Sequence, residues 1–295
     1  MKQVNSVLII YYAGAYKGKI EEFLPQIKKR LSLRYAVVDA IAGYKENDSE
    51  NIAFENASKY DIIVSCGGDG TLHQVVNGVA KSGANPIVGI LPYGTCNDVA
   101  HTLSIPKELN KAIDCILRLN TTKYDLIYDG SEYLTYSLAA GYVTPVSFST
   151  GKKLKRVFGR FAYFLTALKY LFTAKSMPVT ITYDGKMFDG KTPFVLLSSS
   201  KFVGGFNFNK DEDLSDGKAS LIILRGNTFT NAFRLAKLFL FGVKSLKKSK
   251  KVIVESVAKV EIRNHSNAVY AMDGEKCNFL KKQLSVPKQI TMITI

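Results

Sequence analysis

Two glycine-containing motifs each follow a short apolar run and precede a stretch with helical spacing. The first, Gly67-Gly68-Asp69-Gly70-Thr71, follows the apolar run at residues 61–65. The second, Leu91-Pro92-Tyr93-Gly94-Thr95-Cys96-Asn97-Asp98, follows the apolar run at residues 86–91. Strand-to-helix corners in this order are typical of a parallel sheet covered by helices. Because parallel strands end at one edge of a sheet, we expect both motifs at the carboxyl edge, where such sheets bind ligands.

The residue types of the first motif indicate a phosphate site. Glycine has no Cβ, so backbone N–H groups can close around phosphate oxygens, and the following helix adds partial positive charge at its N-terminus. Asp69 alone would repel a phosphate, so it predicts Mg²⁺ or metal-bound water between the carboxylate and the phosphate. The alternative is a tight turn in which Thr71 caps the helix.

The second motif favours a nucleotide pocket over two coincidental turns. Thr95 is a candidate ligand of a phosphate or of the adenine side of the nucleotide. Asn97 or Asp98 is placed to cap the following helix, and for Asp98 capping competes with a catalytic role.

The pattern of apolar residues and turn signals changes near residue 125. Before it, apolar runs alternate with helical spacing, which predicts an α/β N-terminal domain with a mostly parallel sheet at residues 1–125. After it, short strand candidates are separated by Asp-Gly turn signals, which predicts a β-rich C-terminal sandwich domain at residues 126–284. Helical insertions are expected near residues 158–173 and 229–243. The segment 285–295 contains an apolar run and is expected to return to the first domain as a strand.

The positive charge predicts an anionic partner. The net charge is +15, from 40 basic and 25 acidic residues, and the basic stretches 151–177 and 231–251 contain no acidic residue. Such a field attracts nucleic acid, anionic membranes or small anions. Since the sequence has no groove-reading motif and no known base-stacking module, we expect no nucleic-acid partner. The sequence has no apolar run long enough to span a bilayer, and its first apolar run is too short for a secretory signal, so we expect a cytoplasmic protein.

Together, the motifs resemble the catalytic domain of diacylglycerol kinases and sphingosine kinases, especially the small bacterial lipid kinases. The resemblance rests on the first motif, the Gly-Thr-x-Asn-Asp stretch at 94–98 and the late triplet Asp273-Gly274-Glu275, in the order of the family. It extends from about residue 6 to the end of the sequence. It implies a fold like that of NAD kinases and diacylglycerol kinases. It also implies an ATP-dependent kinase that phosphorylates the hydroxyl of a membrane lipid, diacylglycerol or a related lipid, with phosphatidic acid as the product from diacylglycerol.

The resemblance also implies roles for individual residues. The ATP-binding residues would come from both glycine motifs: Gly67, Gly68, Asp69, Gly70, Thr71, Leu72, His73, Gly94, Thr95 and Asn97. Asp69 and Asp125 would join an Mg²⁺–water network at the phosphates. Glu275 corresponds to the general base that takes the proton of the lipid hydroxyl, with Asp273 as a candidate to share that role. A separate structural Mg²⁺ is implied on the Asp216 carboxylate and the backbone carbonyls of Asp213 and Lys218.

Two alternatives stay open beside the lipid kinase. The first loop reads Tyr11-Tyr12-Ala13-Gly14-Ala15 where the family usually has Asn-Pro, which allows a nucleotide-binding regulator with weak activity. An NAD kinase-like enzyme would share the Gly-Gly-Asp-Gly motif. Without the other motifs, Glu275 would be interpreted as an ordinary hairpin residue.

The partner of the basic stretches is likewise open. Their apolar faces either pack on the second domain or dock on anionic headgroups. Docking matches a lipid substrate at the membrane surface and predicts peripheral association with the inner face of the membrane. A homodimer is also left open, because dimers are common among the relatives.

Overall fold

The computed structural model describes residues 4–13, 20–45, 47–141, 176–226, 228–246 and 249–295. The chain forms two compact units: Met1–Tyr124 with Lys288–Ile295, and Asp125–Pro287. The helical insertion predicted near 158–173, and residues 14–18 of the first loop, lie outside the described residues. Within the described ranges, no helix combines the length and the apolar character needed to cross a bilayer.

The first unit alternates strands and helices. Its elements are β1 (Ser6–Tyr12), α1 (Ile20–Leu31), β2 (Val37–Gly43), α2 (Asp48–Asn56), β3 (Ile62–Gly67), α3 (Asp69–Ser82), β4 (Ile87–Pro92), α4 (Asp98–Thr102) and α5 (Leu109–Arg118). The strands are parallel in the order β2-β1-β3-β4. In β1 and β3 the central residues are fully buried, as expected for a parallel sheet with both faces covered. The mostly parallel sheet is therefore confirmed.

Residues from the far end of the sequence complete this sheet. Thr291 and Met292 pair in parallel with Ile87 and Val88 of β4. The Thr294 N–H donates a hydrogen bond to the carbonyl of Asn120 at 2.9 Å. β3 and β4, the strands that precede the two glycine motifs, thus each have a neighbouring strand on both sides.

One strand of the first unit is placed differently from its prediction. The sequence predicts a strand at residues 35–38, whereas β2 begins at Val37. Tyr35 is buried instead, and its hydroxyl donates to the carbonyl of Ile116 at 2.6 Å. This tertiary contact outweighs the strand preference of an aromatic residue.

The second unit consists mainly of antiparallel strands. Its elements are β5 (Thr121–Tyr128), β6 (Tyr133–Leu134), β7 (Ser137–Gly141), β8 (Met177–Tyr183), β9 (Lys186–Thr192), β10 (Phe194–Ser198), β11 (Phe202–Val203), β12 (Phe206–Asn207), β13 (Ala219–Leu224), α6 (Thr228–Phe241), β14 (Val252–Val257), β15 (Lys259–Asn264), β16 (Tyr270–Met272), β17 (Glu275–Cys277) and β18 (Lys281–Ile293). Six strands form one sheet in the order β14-β13-β10-β7-β16-β17. Residues 121–124 of β5 and 288–293 of β18 belong to the first unit by position.

The core of the second unit lies between two layers of strands. Val195 and Leu197 of β10 pack in one apolar cluster with residues of β8, β15 and β18, including Ile181 and Ile262. β15 pairs antiparallel with both β8 and β18. This shared core is that of a β-sandwich, which confirms the predicted sandwich domain.

The other face of the same sheet is covered by α6. Phe194 and Leu196 of β10 pack with Leu235 and Leu238 of the helix in a second apolar cluster. Successive β10 side chains therefore enter different clusters, as the two-residue repeat of a strand requires. The helix predicted near 229–243 is confirmed.

Candidate active site

The first glycine motif forms a strand-to-helix corner. β3 ends at Gly67 and α3 begins at Asp69, with Gly68 at the N-cap position. Thr71 lies inside the helix, so its interpretation as the N-cap is wrong. A Cβ on Gly67 would lie 2.5 Å from the Thr71 hydroxyl oxygen, which explains why a glycine stands there. The first N–H groups of a helix lack intrahelical acceptors and are directed at ligands in such corners.

The second motif lies directly against the first. The Tyr93 N–H donates to the Gly67 carbonyl at 2.8 Å, and Gly67 and Pro92 are register partners of β3 and β4. A Cβ added to Gly94 would lie 2.6 Å from the Gly68 Cα, and one added to Gly68 would lie 3.1 Å from the Gly94 Cα. The expectation that both motifs share one sheet edge is confirmed.

Asp69 joins the two corners by hydrogen bonds. Its Oδ2 accepts from the Asn97 N–H and its Oδ1 from the Asp98 N–H, each at 2.8 Å. These are the donors at the start of α4, so Asp69 caps that helix from the neighbouring corner. The sequence interpretation of Asp69 as a metal-network residue missed this bond pair. A carboxylate has about four acceptor positions, so the bonds are compatible with metal-bound water on the same group.

Asn97 shapes the second corner without capping its helix. It has φ of 53°, and the structure gives it no side-chain cap bond. Its side chain instead bonds the backbone of Gly94, accepting from the N–H at 2.8 Å and donating to the carbonyl at 2.9 Å. Asp98 is buried at the start of α4. The sequence predicts that Asn97 or Asp98 caps α4, but the carboxylate that binds the N–H groups at its start is that of Asp69.

Other residues predicted to bind nucleotide differ in exposure. Thr95 is exposed at the tip of its corner, and Gly70 is exposed at the start of α3, with no atom within 4 Å of a Cβ added there. His73 is half-buried one turn along α3, 3.4 Å from the Asn77 amide nitrogen. Leu72 is 3% exposed, so its side chain packs in the core of the unit.

The late triplet forms a hairpin turn in the second unit. Asp273 and Gly274 connect β16 to β17 with φ of 46° and 85°, the positive values of a type I′ turn. Met272 and Glu275 are register partners on its two sides. Glu275 is exposed on β17. The turn therefore presents the Glu275 carboxylate to the surface of the unit.

Asp273 and Glu275 have different environments. The Asp273 carboxylate is buried, and it accepts bonds from the Thr135 N–H and hydroxyl at 2.5 and 2.7 Å. It also accepts from the N–H groups of Tyr136 and Ser137, each at 3.0 Å. Four donors hold this carboxylate within its own unit. Asp273 is therefore suited to fixing the turn, whereas the Glu275 side chain is exposed to solvent.

We expect Asp273→Asn to lower the free energy of unfolding by about 3 kcal/mol, because it weakens charge-assisted bonds and turns an amide NH₂ toward N–H donors. The matched control is Asp184→Asn. Asp184 also precedes a glycine at positive φ and accepts two backbone N–H bonds, from Ala258 and Lys259, but it is exposed. Asp184→Asn should lower the free energy of unfolding by only about 1 kcal/mol. Denaturant unfolding measures both values, and equal losses would contradict the role of the buried carboxylate.

Asp125 lies beside the turn predicted to hold a structural metal. Its buried carboxylate accepts from the Gly217 N–H at 2.9 Å, and its own N–H donates to the Leu214 carbonyl at 2.7 Å. Asp213 and Asp216 are exposed, and their carboxylates accept from the N–H groups of Ser215 and Lys218, respectively. Among the described residues, no group of three acidic, histidine or cysteine side chains forms a metal site. Carboxylate and carbonyl oxygens in this turn still suit a hard cation such as Mg²⁺.

Sequence reasoning missed Glu212, which lies next to this turn. The run Asp211-Glu212-Asp213 has the appearance of a solvated acidic loop, yet Glu212 is buried. Its carboxyl group bonds the Ser220 hydroxyl, the Ser220 N–H and the Asn209 amide. Burial raises the pKa of Glu212 to about 7. Only the tertiary fold distinguishes this carboxyl group from its exposed neighbours.

Comparison with known proteins identifies relatives along most of the chain. Residues 6–128 match the model of the diacylglycerol kinase catalytic domain. A diacylglycerol kinase of Staphylococcus haemolyticus is 33% identical over 96% of this chain and 88% of the relative. One of Staphylococcus aureus is 32% identical over 90% of this chain and 85% of the relative. A solved structure of a diacylglycerol kinase from Bacillus anthracis has a TM-score of 0.80 at 20% identity, covering 100% of this chain and 98% of that chain. Another from the same strain has a TM-score of 0.85 at 23% identity, covering 100% and 97%.

Proposed function

The chain belongs to the diacylglycerol kinase family, and from this premise we propose that it transfers the γ-phosphate of ATP to the hydroxyl of a membrane lipid. The family and the kinase class predicted from the sequence are confirmed. For the acceptor we propose diacylglycerol, with phosphatidic acid as the product. The names of the relatives support this choice.

The joined pair of glycine corners is the observation that carries the proposal. Gly68 and Gly94 are in direct contact, and Asp69 holds the start of α4 against the first corner. This arrangement brings two helix N-termini to one edge of a parallel sheet. Such an edge favours a ligand with several phosphate groups, because the start of α3 offers N–H donors and partial positive charge, and the second corner brings the exposed Thr95 beside it. ATP meets that requirement.

In the proposed reaction, the exposed Glu275 carboxylate accepts the proton of the lipid hydroxyl. The hydroxyl oxygen then forms a bond to the γ-phosphorus, while the bond between that phosphorus and the ADP oxygen breaks and ADP leaves. Asp273 acts as a positioning residue by fixing the turn that carries Glu275.

We further propose that the phosphate corners work with Mg²⁺. The carboxylates of Asp69 and Asp125 would hold the ion through bound water. When bound, the ion would neutralise charge on the phosphates. A second, structural Mg²⁺ would be held at the turn of Asp213, Asp216 and Lys218. We place the protein on the inner face of the membrane, attached by anionic headgroups.

A transfer assay with labelled ATP tests the proposed function. The protein is incubated with Mg²⁺ and mixed micelles of diacylglycerol or phosphatidylglycerol, beside reactions in which NAD or water is the only acceptor. We expect label in the chloroform phase with diacylglycerol. Label on NAD would favour the NAD kinase-like alternative. Protection by ATP against heat without any transfer would favour the regulator.

A further inference from the structure

Helix α6 has one buried and one exposed face. Its buried face consists of Leu235, Leu238 and Phe239, which pack against the outer side of the six-stranded sheet. Phe239 also makes edge contacts with the rings of Phe206 and Phe208, each at 5.0 Å between centroids. The helix is therefore anchored in the second unit, and its position does not depend on its other face.

The other face exposes large apolar side chains. Phe233, Leu240 and Phe241 are 79%, 60% and 70% exposed, respectively. Residues seven and eight positions apart lie on the same side of an α-helix. Lys237 is exposed between them at the same side. We call these four residues the α6 outer face.

The charged residues of the segment that carries this face are all basic. The sequence from Asn231 to Lys251 contains seven basic residues and no acidic one. Within the part that the structure describes, Lys244 is paired with Asp211 at 2.7 Å, and Arg234 bonds the Asn231 side chain. Lys237 is four residues from both Phe233 and Phe241 on the helix, so it lies at the centre of the apolar group. An apolar face with cationic neighbours is the pattern of helices that lie in a membrane interface.

A second copy of the chain fits this face poorly. Three exposed side chains of this size offer roughly 500 Å², less than the about 800 Å² that each partner buries in a standard stable interface. A two-fold dimer packs this patch against its own copy, which would place two Lys237 ammonium groups of like charge within one small apolar contact. An anionic bilayer satisfies both features, because the apolar tips enter the acyl boundary while the lysine reaches the headgroups.

We propose that the α6 outer face is a docking surface for a bilayer that carries anionic headgroups. The inference deepens the proposed function and rests on it for its purpose, since the lipid acceptor lies in a bilayer. Phe233 and Phe241 enter the interface, and Lys237 attracts the headgroups. Binding in this way needs neither ATP nor turnover.

Vesicle sedimentation with the full chain tests the docking surface. The probes are vesicles of phosphatidylcholine alone and of phosphatidylcholine with phosphatidylglycerol. We expect the protein to prefer the anionic vesicles, and Phe233→Ser/Phe241→Ser to weaken that binding at least about tenfold through lost apolar burial. Lys237→Glu should weaken binding to the anionic vesicles alone. Leu33→Ser is the matched control, because Leu33 is 81% exposed in the first unit, and it should bind as the unchanged protein does.

The outcomes separate this inference from the proposed function. If the double variant sediments with anionic vesicles as the unchanged protein does, the docking surface is wrong. If instead it turns a dimer into a monomer in size-exclusion chromatography, the face belongs to a second copy. A short-chain, water-soluble diacylglycerol tests transfer without a bilayer, and the double variant should phosphorylate it normally. If neither the unchanged protein nor any variant phosphorylates the short-chain diacylglycerol, the proposed function is refuted. The docking surface is then still tested by the vesicle-binding result alone.

Discussion

A Glu275→Gln variant should fold and bind ATP as the unchanged protein does, but transfer phosphate at least about 100-fold more slowly, because a general base contributes that much or more. The substitution keeps the size of the side chain and removes its ability to take a proton. Glu275 is exposed on β17, so no buried contact is lost. The loss should appear in kcat, with little change in the KM for ATP.

The matched control for this change is Lys276→Gln. Lys276 is the next residue on the same strand, is exposed, and pairs with Ala271 across the hairpin. It tests whether any polar change on β17 slows transfer. Turnover of Glu275→Gln near that of the unchanged protein would remove Glu275 from the reaction and leave it as an ordinary hairpin residue.

The second large effect is expected for Asp69→Ala. The Asp69 carboxylate binds two N–H groups at the start of α4, so its removal separates the second corner from the first as well as removing a candidate metal ligand. We therefore expect kcat/KM for ATP to fall at least about 100-fold. Unlike the loss at Glu275, this loss should include a higher KM for ATP. Steady-state kinetics at varied ATP concentrations distinguish the two.

Asp61→Ala provides a control with the same kind of bond. The Asp61 carboxylate accepts from the N–H groups of Asn5 and Ser6, at 2.9 and 3.1 Å, where β1 and β3 begin. Strand beginnings lie at the edge opposite to the glycine corners in a parallel sheet. This variant should be less stable by about 1–2 kcal/mol and keep its KM for ATP. If both aspartate variants raised that KM equally, general destabilisation would explain the result at Asp69.

The parallel sheet and its two corners were predictable because their signals are local in the sequence. An apolar run that ends in glycines reports a buried strand and a tight turn within about ten residues. The same holds for the Asp273-Gly274 turn. Since parallel strands end at one edge, the placement of both corners at the same edge followed from the order of the elements.

The partners of the carboxylates were not predictable in this way. Asp69 bonds residues 28 and 29 positions away, and Asp273 bonds residues up to 138 positions away. No periodicity or spacing encodes such pairs, because they depend on how the sheets bring distant segments together. Glu212 was missed for a different reason: its partners Asn209 and Ser220 are only three and eight positions away, but its burial cannot be read from its acidic, exposed neighbours in sequence. The residue types predicted that carboxylates take part in the site, and the tertiary structure determines which carboxylates are exposed and which are held by buried hydrogen bonds.

During synthesis on the ribosome, the first unit remains incomplete for most of the time that the chain is made. Its strand β4 pairs with Thr291 and Met292, and residues 125–287 are translated before them. Because domains form from the N-terminal side as the chain emerges, the second unit has its full sequence first. Until then β4 is an open strand edge, which invites wrong pairing. Premature termination anywhere within the second unit would therefore leave Ile87 and Val88 of β4 without these pairing partners, although every residue of the glycine corners would already be present.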